Sequence, residues 1–417
     1  MNPQPTSNRT GPLRGMKVLE ASHVMAGPTC GLMLADLGAD VVKVERLPGG
    51  DDTRRAVPPE IQGESAAFMM MNRNKRGIGL NLKSEKGREV FRRLAVNSDV
   101  VIENFRKGTM EALGLGYDRL KSDHPGLIYC SLSGFGQTGP YADRGGFDLI
   151  AQGMSGLMSI TGEGPGRAPV KVGAPMTDIT AGILAALGIV AAYAHRQRTG
   201  EGQLVDTSLL EAGIVHTYWQ SAIYLATGVS PTAMGSAHPL MAPYQSFETR
   251  DGWVNVGAAN QVNWERLLEV LGASELGRDP RFADNAGRMN HLAALVEQLT
   301  PYFQSRTTAS WLEKFQTAGI PAGPVLSIAA MHADPQVKAR RMVTEVPHSR
   351  LGQVETLGAP VKLSATPASL TRGAPLLGEH TREVLREFGY SDRETEVLEA
   401  EGAVLSHRTK CEDPKHP

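Results

Sequence analysis

Between residues 16 and 132 the chain alternates short, apolar, β-branched runs with helical periods, and no other feature restricts its fold as much. Residues 16–21 (MKVLEA) read as a strand, 28–37 as a helix opened by Gly27-Pro28, and 40–45 (DVVKVE) as a second strand, together a βαβ unit. Residues 84–95 continue as an amphipathic helix, and 99–103 (DVVIE) and 127–132 (LIYCSL) as further strands. This order predicts an α/β fold whose large domain is a Rossmann-like, parallel, doubly wound sheet.

Beyond Asp148 the pattern turns helical. A long helix starts near Thr177 and stops at Thr199-Gly200, a short strand follows at 203–206, and a further helix runs from Ser208 toward Leu225. The apolar stretch 179–194 (ITAGILAALGIVAAYA) is short for a bilayer span and reads as a buried core helix. Residues 227–243 are rich in Gly, Ser and Pro and mark a boundary. Residues 1–226 are therefore the first part of a large domain, 227–243 a linker, and 244–323 a smaller α/β domain with a strand near 252–256. Residues 324–405 return to complete the large domain, with helices at 379–388 and 393–401, and the polar residues 406–417 read as a disordered tail.

Lys plus Arg number 43 and Asp plus Glu 44, so no global field attracts nucleic acid or anionic lipid, and an anionic ligand must be held locally. Cys30, Cys130 and Cys411 are too far apart for a disulfide framework or a zinc site and fit a reducing, cytoplasmic setting. The first fifteen residues lack the apolar run of a secretory signal; their two arginines and absence of acids leave an organelle-targeting reading open beside that of a frayed terminus. His-x-x-x-His, Gly-x-Ser-x-Gly and Cys-x-x-Cys patterns are absent, which disfavours metal and serine-hydrolase chemistry.

Asp178 stands at the start of the apolar helix, just after Gly173-Ala-Pro-Met-Thr177. Asp is a favoured N-cap, so a structural role accounts for it. A helix N-terminus also stabilises an ionised carboxylate, the form that attacks an acyl group, and the two roles are compatible. The first βα turn, Ser22-His-Val-Met-Ala-Gly-Pro28, lacks the G-x-G-x-x-G fingerprint, which disfavours a dehydrogenase but leaves a nucleotide-type ligand open. His23 in that turn reads as a base or a hydrogen-bonded structural residue. Residues 133–140 (SGFGQTGP) read either as a mobile substrate loop or as a tight crossover, and 256–260 (VGAAN) either as oxyanion donors or as a turn. Arg46, Lys75, Arg76, Lys83 and Arg106 fall near strand ends or loops, positioned for phosphates or for solvent.

Taken together, residues 19–28 (LEASHVMAGP), 37–46 (LGADVVKVER), 74–76 (NKR), 101–106 (VIENFR), 131–140, 173–182, 198–203 (RTGEGQ) and 375–381 (PLLGEHT) resemble the family III CoA-transferases. These stretches follow one another in order along nearly the whole chain. The resemblance implies an interlocked homodimer, acyl-CoA and carboxylic acid substrates, and no cofactor beyond coenzyme A carried as a thioester. It implies that Asp178 is the nucleophile, forming an aspartyl mixed anhydride and then an aspartyl-CoA thioester, and we assign Gly257, Ala258, Ala259 and Asn260 to the oxyanion. It implies CoA contacts at His23, Met25, Ala26, Arg46, Leu80, Asn81, Leu82, Lys83, Asn104, Phe105, Arg106, Arg144, Phe147 and Asp148. Three positions depart from relatives: Met25 replaces a glutamine, Ala112 replaces a basic residue, and Gly146-Phe147-Asp148 stands where fold-sharing racemases carry Gly-His-Asp. Phenylalanine cannot move a proton, which favours transfer over the alternatives, an acyl-CoA racemase or a silent acyl-CoA-binding protein. The acids transferred are not legible, although resemblance to enzymes of succinyl-CoA and glutarate-like acids points to dicarboxylates.

Overall fold

A computed structural model describes residues 10–407. It contains fourteen strands: β1 Lys17–Ala21, β2 Asp40–Arg46, β3 Glu60–Ile61, β4 Glu64–Ser65, β5 Arg76–Leu80, β6 Val100–Glu103, β7 Ile128–Ser133, β8 Leu204–Ser208, β9 Tyr244–Thr249, β10 Gly252–Gly257, β11 Ala322–Pro324, β12 Val343–His348, β13 Gly352–Leu357 and β14 Val404–Leu405. Seven of these make one sheet in the order β14-β5-β2-β1-β6-β7-β8. Every pair in it is parallel except the edge pair β14–β5. The predicted parallel α/β sheet is therefore present, with an antiparallel edge strand that the sequence reading did not contain.

Because successive side chains of a strand point to opposite faces, the sheet supports two cores. Val18, Val100, Ile102, Ile128 and Cys130 face one, against the helices Ala26–Asp36 and Met176–Thr199. Leu19, Val42, Val44, Val101 and Tyr129 face the other, against Val90, Phe91 and Leu94 of the helix Glu85–Val96 and against Val384, Leu385 and Leu398. The long helix is apolar and long enough to cross a membrane by length and composition, yet it buries one stripe here, Ala181, Gly182, Ala185, Ala186, Ile189 and Ala192. Ile183 and Leu187 on its other side are exposed, so the expectation of a buried core helix holds for one face.

The chain divides into two compact units. One comprises the described chain up to Ser155, Gly173–His216, and the described chain from Gln336 onward, and it carries the seven-stranded sheet. The other comprises Gly156–Val172 and Thr217–Pro335, so it takes in the segment after Ser155 and the helix Tyr218–Thr227, both placed in the large domain by the sequence reading. Its sheet, in the order β11-β10-β9, is antiparallel. Phe247, Val254, Trp264, Phe303, Trp311 and Phe315 build its core, with the Phe247 and Phe303 rings stacked 4.2 Å apart. Residues 408–417, most of the expected tail, lie outside the described residues.

Candidate active site

In the large sheet the chain runs outward from β1 to β2 and β5 on one side and to β6, β7 and β8 on the other. The loops leaving β1 and β6 start at this reversal, at the strand carboxyl ends, the place where such sheets bind ligands. His23 follows β1 and Asn104 follows β6. The His23 N–H donates to Asn104 Oδ1 at 3.0 Å and Asn104 Nδ2 donates to the His23 carbonyl at 2.8 Å, closing the two loops on each other. Phe105 brings its ring centroid to 5.6 Å from the His23 imidazole. Met25 immediately precedes the helix Ala26–Asp36, whose start has no side-chain cap.

Asp178 enters this region from the long helix. That helix begins at Met176, so Asp178 lies inside the first turn and caps nothing; the N-cap position belongs to Pro175. The cap expectation is thus corrected, for a physical reason: another carboxylate already serves that turn. Asp148 Oδ1 accepts the Thr177 N–H at 3.0 Å and the Thr177 hydroxyl at 2.8 Å, and Asp148 Oδ2 accepts from Gln152 Nε2 at 2.7 Å. Among the described residues, no hydrogen bond reaches the Asp178 carboxylate. Burial, and then the charge of Asp148, push it up to about 6, opposite to the lowering expected from the helix dipole alone. One turn on, an added Cβ at Gly182 would lie 2.6 Å from the Ala26 carbonyl oxygen, so this glycine lets the Asp178 helix rest on the start of the helix Ala26–Asp36.

The remaining expected contacts divide by exposure. Arg46, exposed at the end of β2, pairs with Asp52. Leu80 is wholly buried, while Asn81, Leu82 and Lys83 form the turn leaving β5, braced by Asn81 Oδ1 accepting the Lys83 N–H at 3.1 Å. Arg106 is exposed and its guanidinium flanks Gly145. Arg144 stacks 4.0 Å from the Tyr141 ring, and Phe147 is 75% exposed. Lys75 and Arg76 are committed to ion pairs: Lys75 Nζ pairs with the buried Glu20 at 2.8 Å, and the buried Arg76 guanidinium pairs with Asp40, Glu383 and Glu387 at the surface. Residues 133–140 begin with a tight backbone approach, since a Cβ at Gly134 would come 2.6 Å from the Gly146 Cα.

The turn after β10 lies in the second unit. The Gly257 N–H donates to the Pro321 carbonyl at 2.8 Å and the Ala258 N–H to the Pro243 carbonyl at 3.0 Å. The Asn260 side chain caps the helix Gln261–Leu271 by accepting the Asn263 N–H at 2.8 Å. Of the four residues assigned to an oxyanion, Gly257 and Ala258 have N–H groups engaged in the fold itself.

Sequence reasoning missed two buried polar groupings. Glu103, ending β6, accepts from the Ser131 hydroxyl and from the Phe105 N–H, and burial pushes its carboxyl up to about 7. Glu20, Lys43, Asp51 and Lys75 form an enclosed ion network under the first turn. Charged residues inside strands of a sheet that should be covered on both faces were the available signal.

Residues 13–381 match the family described as CoA-transferase family III. The human succinyl-CoA:glutarate CoA-transferase is 38% identical over 408 residues, spanning 98% of this chain and 93% of the relative. The succinate–glutarate CoA-transferase of Agrobacterium fabrum is 41% identical, spanning 93% of this chain and 98% of the relative. A crystal structure of a CAIB/BAIF family protein from Brucella suis superposes with a TM-score of 0.81 at 41% identity, covering 91% of this chain and all of that one. Two loops hydrogen-bonded to each other at the sheet's reversal, a carboxylate on the adjoining helix, and similarity over almost the full length converge: the chain belongs to the family III CoA-transferases and transfers coenzyme A from an acyl-CoA to a carboxylic acid.

Proposed function

We propose that transfer runs through the Asp178 carboxylate and that both acids are short dicarboxylates. Asp178 attacks the donor thioester carbonyl, CoA thiolate leaves, and an aspartyl mixed anhydride forms. Thiolate attacks the aspartyl carbonyl and the donor acid departs as its carboxylate, leaving an aspartyl-CoA thioester. The acceptor carboxylate attacks that carbonyl and expels thiolate, and thiolate then takes the acceptor acyl group and restores the Asp178 carboxylate. Each step exchanges one leaving group for one nucleophile, so no net proton moves and no base is required. The observation that carries this reading is a half-buried carboxylate in a helix's first turn to which, among the described residues, no donor is committed.

In the same reading, coenzyme A lies along the crevice between the loops after β1 and β6. The uncapped first turn Met25–Ala26 offers N–H groups, and Arg46, Lys83, Arg106 and Arg144 are exposed cations for its phosphates. Phe147 has no proton to exchange at the α-carbon, which supports transfer over racemisation. The dicarboxylate assignment rests on the relatives that are named for succinyl-CoA and glutarate.

We also propose a homodimer. The helix Tyr218–Thr227 buries none of its residues within the chain, although Tyr218, Trp219, Tyr224 and Leu225 are exposed on it, and large apolar groups without cover mark a contact surface.

Isotope exchange between labelled succinate or glutarate and succinyl-CoA tests the chemistry. Exchange is expected in the wild type and absent from Asp178→Ala; full exchange in that variant contradicts the proposal. A panel of mono- and dicarboxylic acceptors tests the substrate class, and preference for acids with one carboxylate contradicts it.

A further inference from the structure

The turn between β1 and the helix Ala26–Asp36 contains a backbone feature that its sequence does not favour. Val24 has φ of +67°, in the left-handed region, where a β-branched side chain crowds its own backbone. Such a conformation persists only where the surroundings impose it, and these outliers gather at ligand sites. Here the surroundings are identifiable. The Val24 N–H donates to Asp51 Oδ1 at 3.2 Å, and the same oxygen accepts the Thr53 N–H at 2.9 Å and its hydroxyl at 2.8 Å.

Asp51 is itself fixed from below. Lys43 Nζ lies 2.9 Å from Asp51 Oδ2 and 3.1 Å from Glu20 Oε1, and it donates to the Ser22 carbonyl at 2.8 Å. Lys75 Nζ pairs with Glu20 Oε2 at 2.8 Å and donates to the Pro28 carbonyl at 2.8 Å. One enclosed network therefore grips the turn at three backbone points: the Ser22 carbonyl, the Val24 N–H and the Pro28 carbonyl. Gly31 is part of the same arrangement, since a Cβ there would sit 1.9 Å from Glu20 Oε2. Charges so buried are expensive to keep, and hydrophobic residues of similar volume often stabilise a core equally well. Four of them under one strained turn call for a role beyond stability.

We propose that Asp51, anchored by Lys43, is a positioning residue for acyl-CoA: it holds Val24 left-handed and so aims His23, Met25 and the first turn of the helix Ala26–Asp36 at the coenzyme. This deepens the reading of the β1–β6 crevice as the CoA site and rests on it. Asp51 touches no substrate; its effect passes through the backbone of residues 22–28. The clamp acts on binding geometry, so its loss raises KM for acyl-CoA more than it lowers kcat.

The test compares Asp51→Ala, Asp51→Ala/Val24→Gly, Val24→Pro and Arg46→Ala by steady-state kinetics and thermal unfolding. Asp51→Ala is expected to raise KM for acyl-CoA about tenfold or more, the size of a lost hydrogen bond to a charged acceptor. Adding Val24→Gly is expected to recover most of that rise, because glycine adopts a positive φ unaided. A network that served stability alone would show no such rescue, and absence of rescue overturns the proposal. Val24→Pro, which fixes φ near −65° and deletes the N–H, is expected to raise KM even where Asp51→Ala fails to fold; a wild-type KM in Val24→Pro also overturns it. Arg46→Ala separates the underlying reading: unchanged KM for acyl-CoA in that variant contradicts the CoA site itself, whatever the Asp51 variants do.

Discussion

At the scale of single residues, Asp178 combines two properties that oppose each other. Burial and the Asp148 charge hold its carboxyl at about 6, well above the ordinary aspartate value, so ionising it costs folding free energy. The sign follows from linkage: a carboxyl that binds its proton more tightly when folded is stabilising at low pH, and that contribution is lost as pH rises from the unfolded value of 3.8 through about 6. Asp178→Asn is therefore expected to be more stable than the wild type at pH 8, by on the order of 1 kcal/mol, with the advantage disappearing below pH 4. Unfolding by denaturant at the two pH values checks this. The same residue should make exchange activity fall as pH drops through about 6, since only the carboxylate attacks. Asp178's place at a helix start was legible from the preceding Gly-Ala-Pro and the apolar run. Not legible was that Asp148, twenty-nine positions before Thr177, accepts the Thr177 N–H and serves that turn.

At the scale of elements, what was legible followed from periodicity. The strands β1, β2, β6 and β7 and the helices Glu85–Val96 and Met176–Thr199 fall within a residue or two of where the apolar pattern placed them. β5 was missed because its sequence, RGIGL, holds two glycines, which weaken a strand signal. The structure explains them: Cβ atoms at Gly77 and Gly79 would press on Pro375 and on Leu405, segments that return from the far end of the chain. Such long-range crowding has no local trace. Likewise the predicted helix from Ser208 toward Leu225 is two helices, Leu209–Ile214 and Tyr218–Thr227, joined by a 3-10 turn at Val215–Thr217. Gly182 carries the element-scale prediction. Gly182→Val sets a side chain against the Ala26 carbonyl and Thr29, so the two helices must part. We expect a loss of about 1–3 kcal/mol, typical of overpacking, together with a rise in KM for acyl-CoA, measured on the same preparation.

At the scale of the whole molecule, the family and the reaction class were legible because motifs recur in order from residue 19 to 381, whereas the division of the chain was less so. The segment Gly156–Val172 joins the second unit although it lies between two stretches of the first, a packing relation that composition does not encode. The exposed aromatic helix Tyr218–Thr227 carries the prediction about assembly. Sedimentation is expected to give twice the chain mass, and Trp219→Asp with Leu225→Asp to shift the population toward monomer; a wild-type monomer at all concentrations contradicts the proposed dimer. The proposed mechanism requires that Asp178 become acylated. Brief incubation with succinyl-CoA in the absence of acceptor, followed by acid quench and peptide mass spectrometry, measures it directly. A CoA thioester or succinyl adduct is expected on the peptide carrying Asp178, absent from Asp178→Asn; turnover with unlabelled Asp178 and an adduct elsewhere, or none at all, rules out Asp178 as the nucleophile.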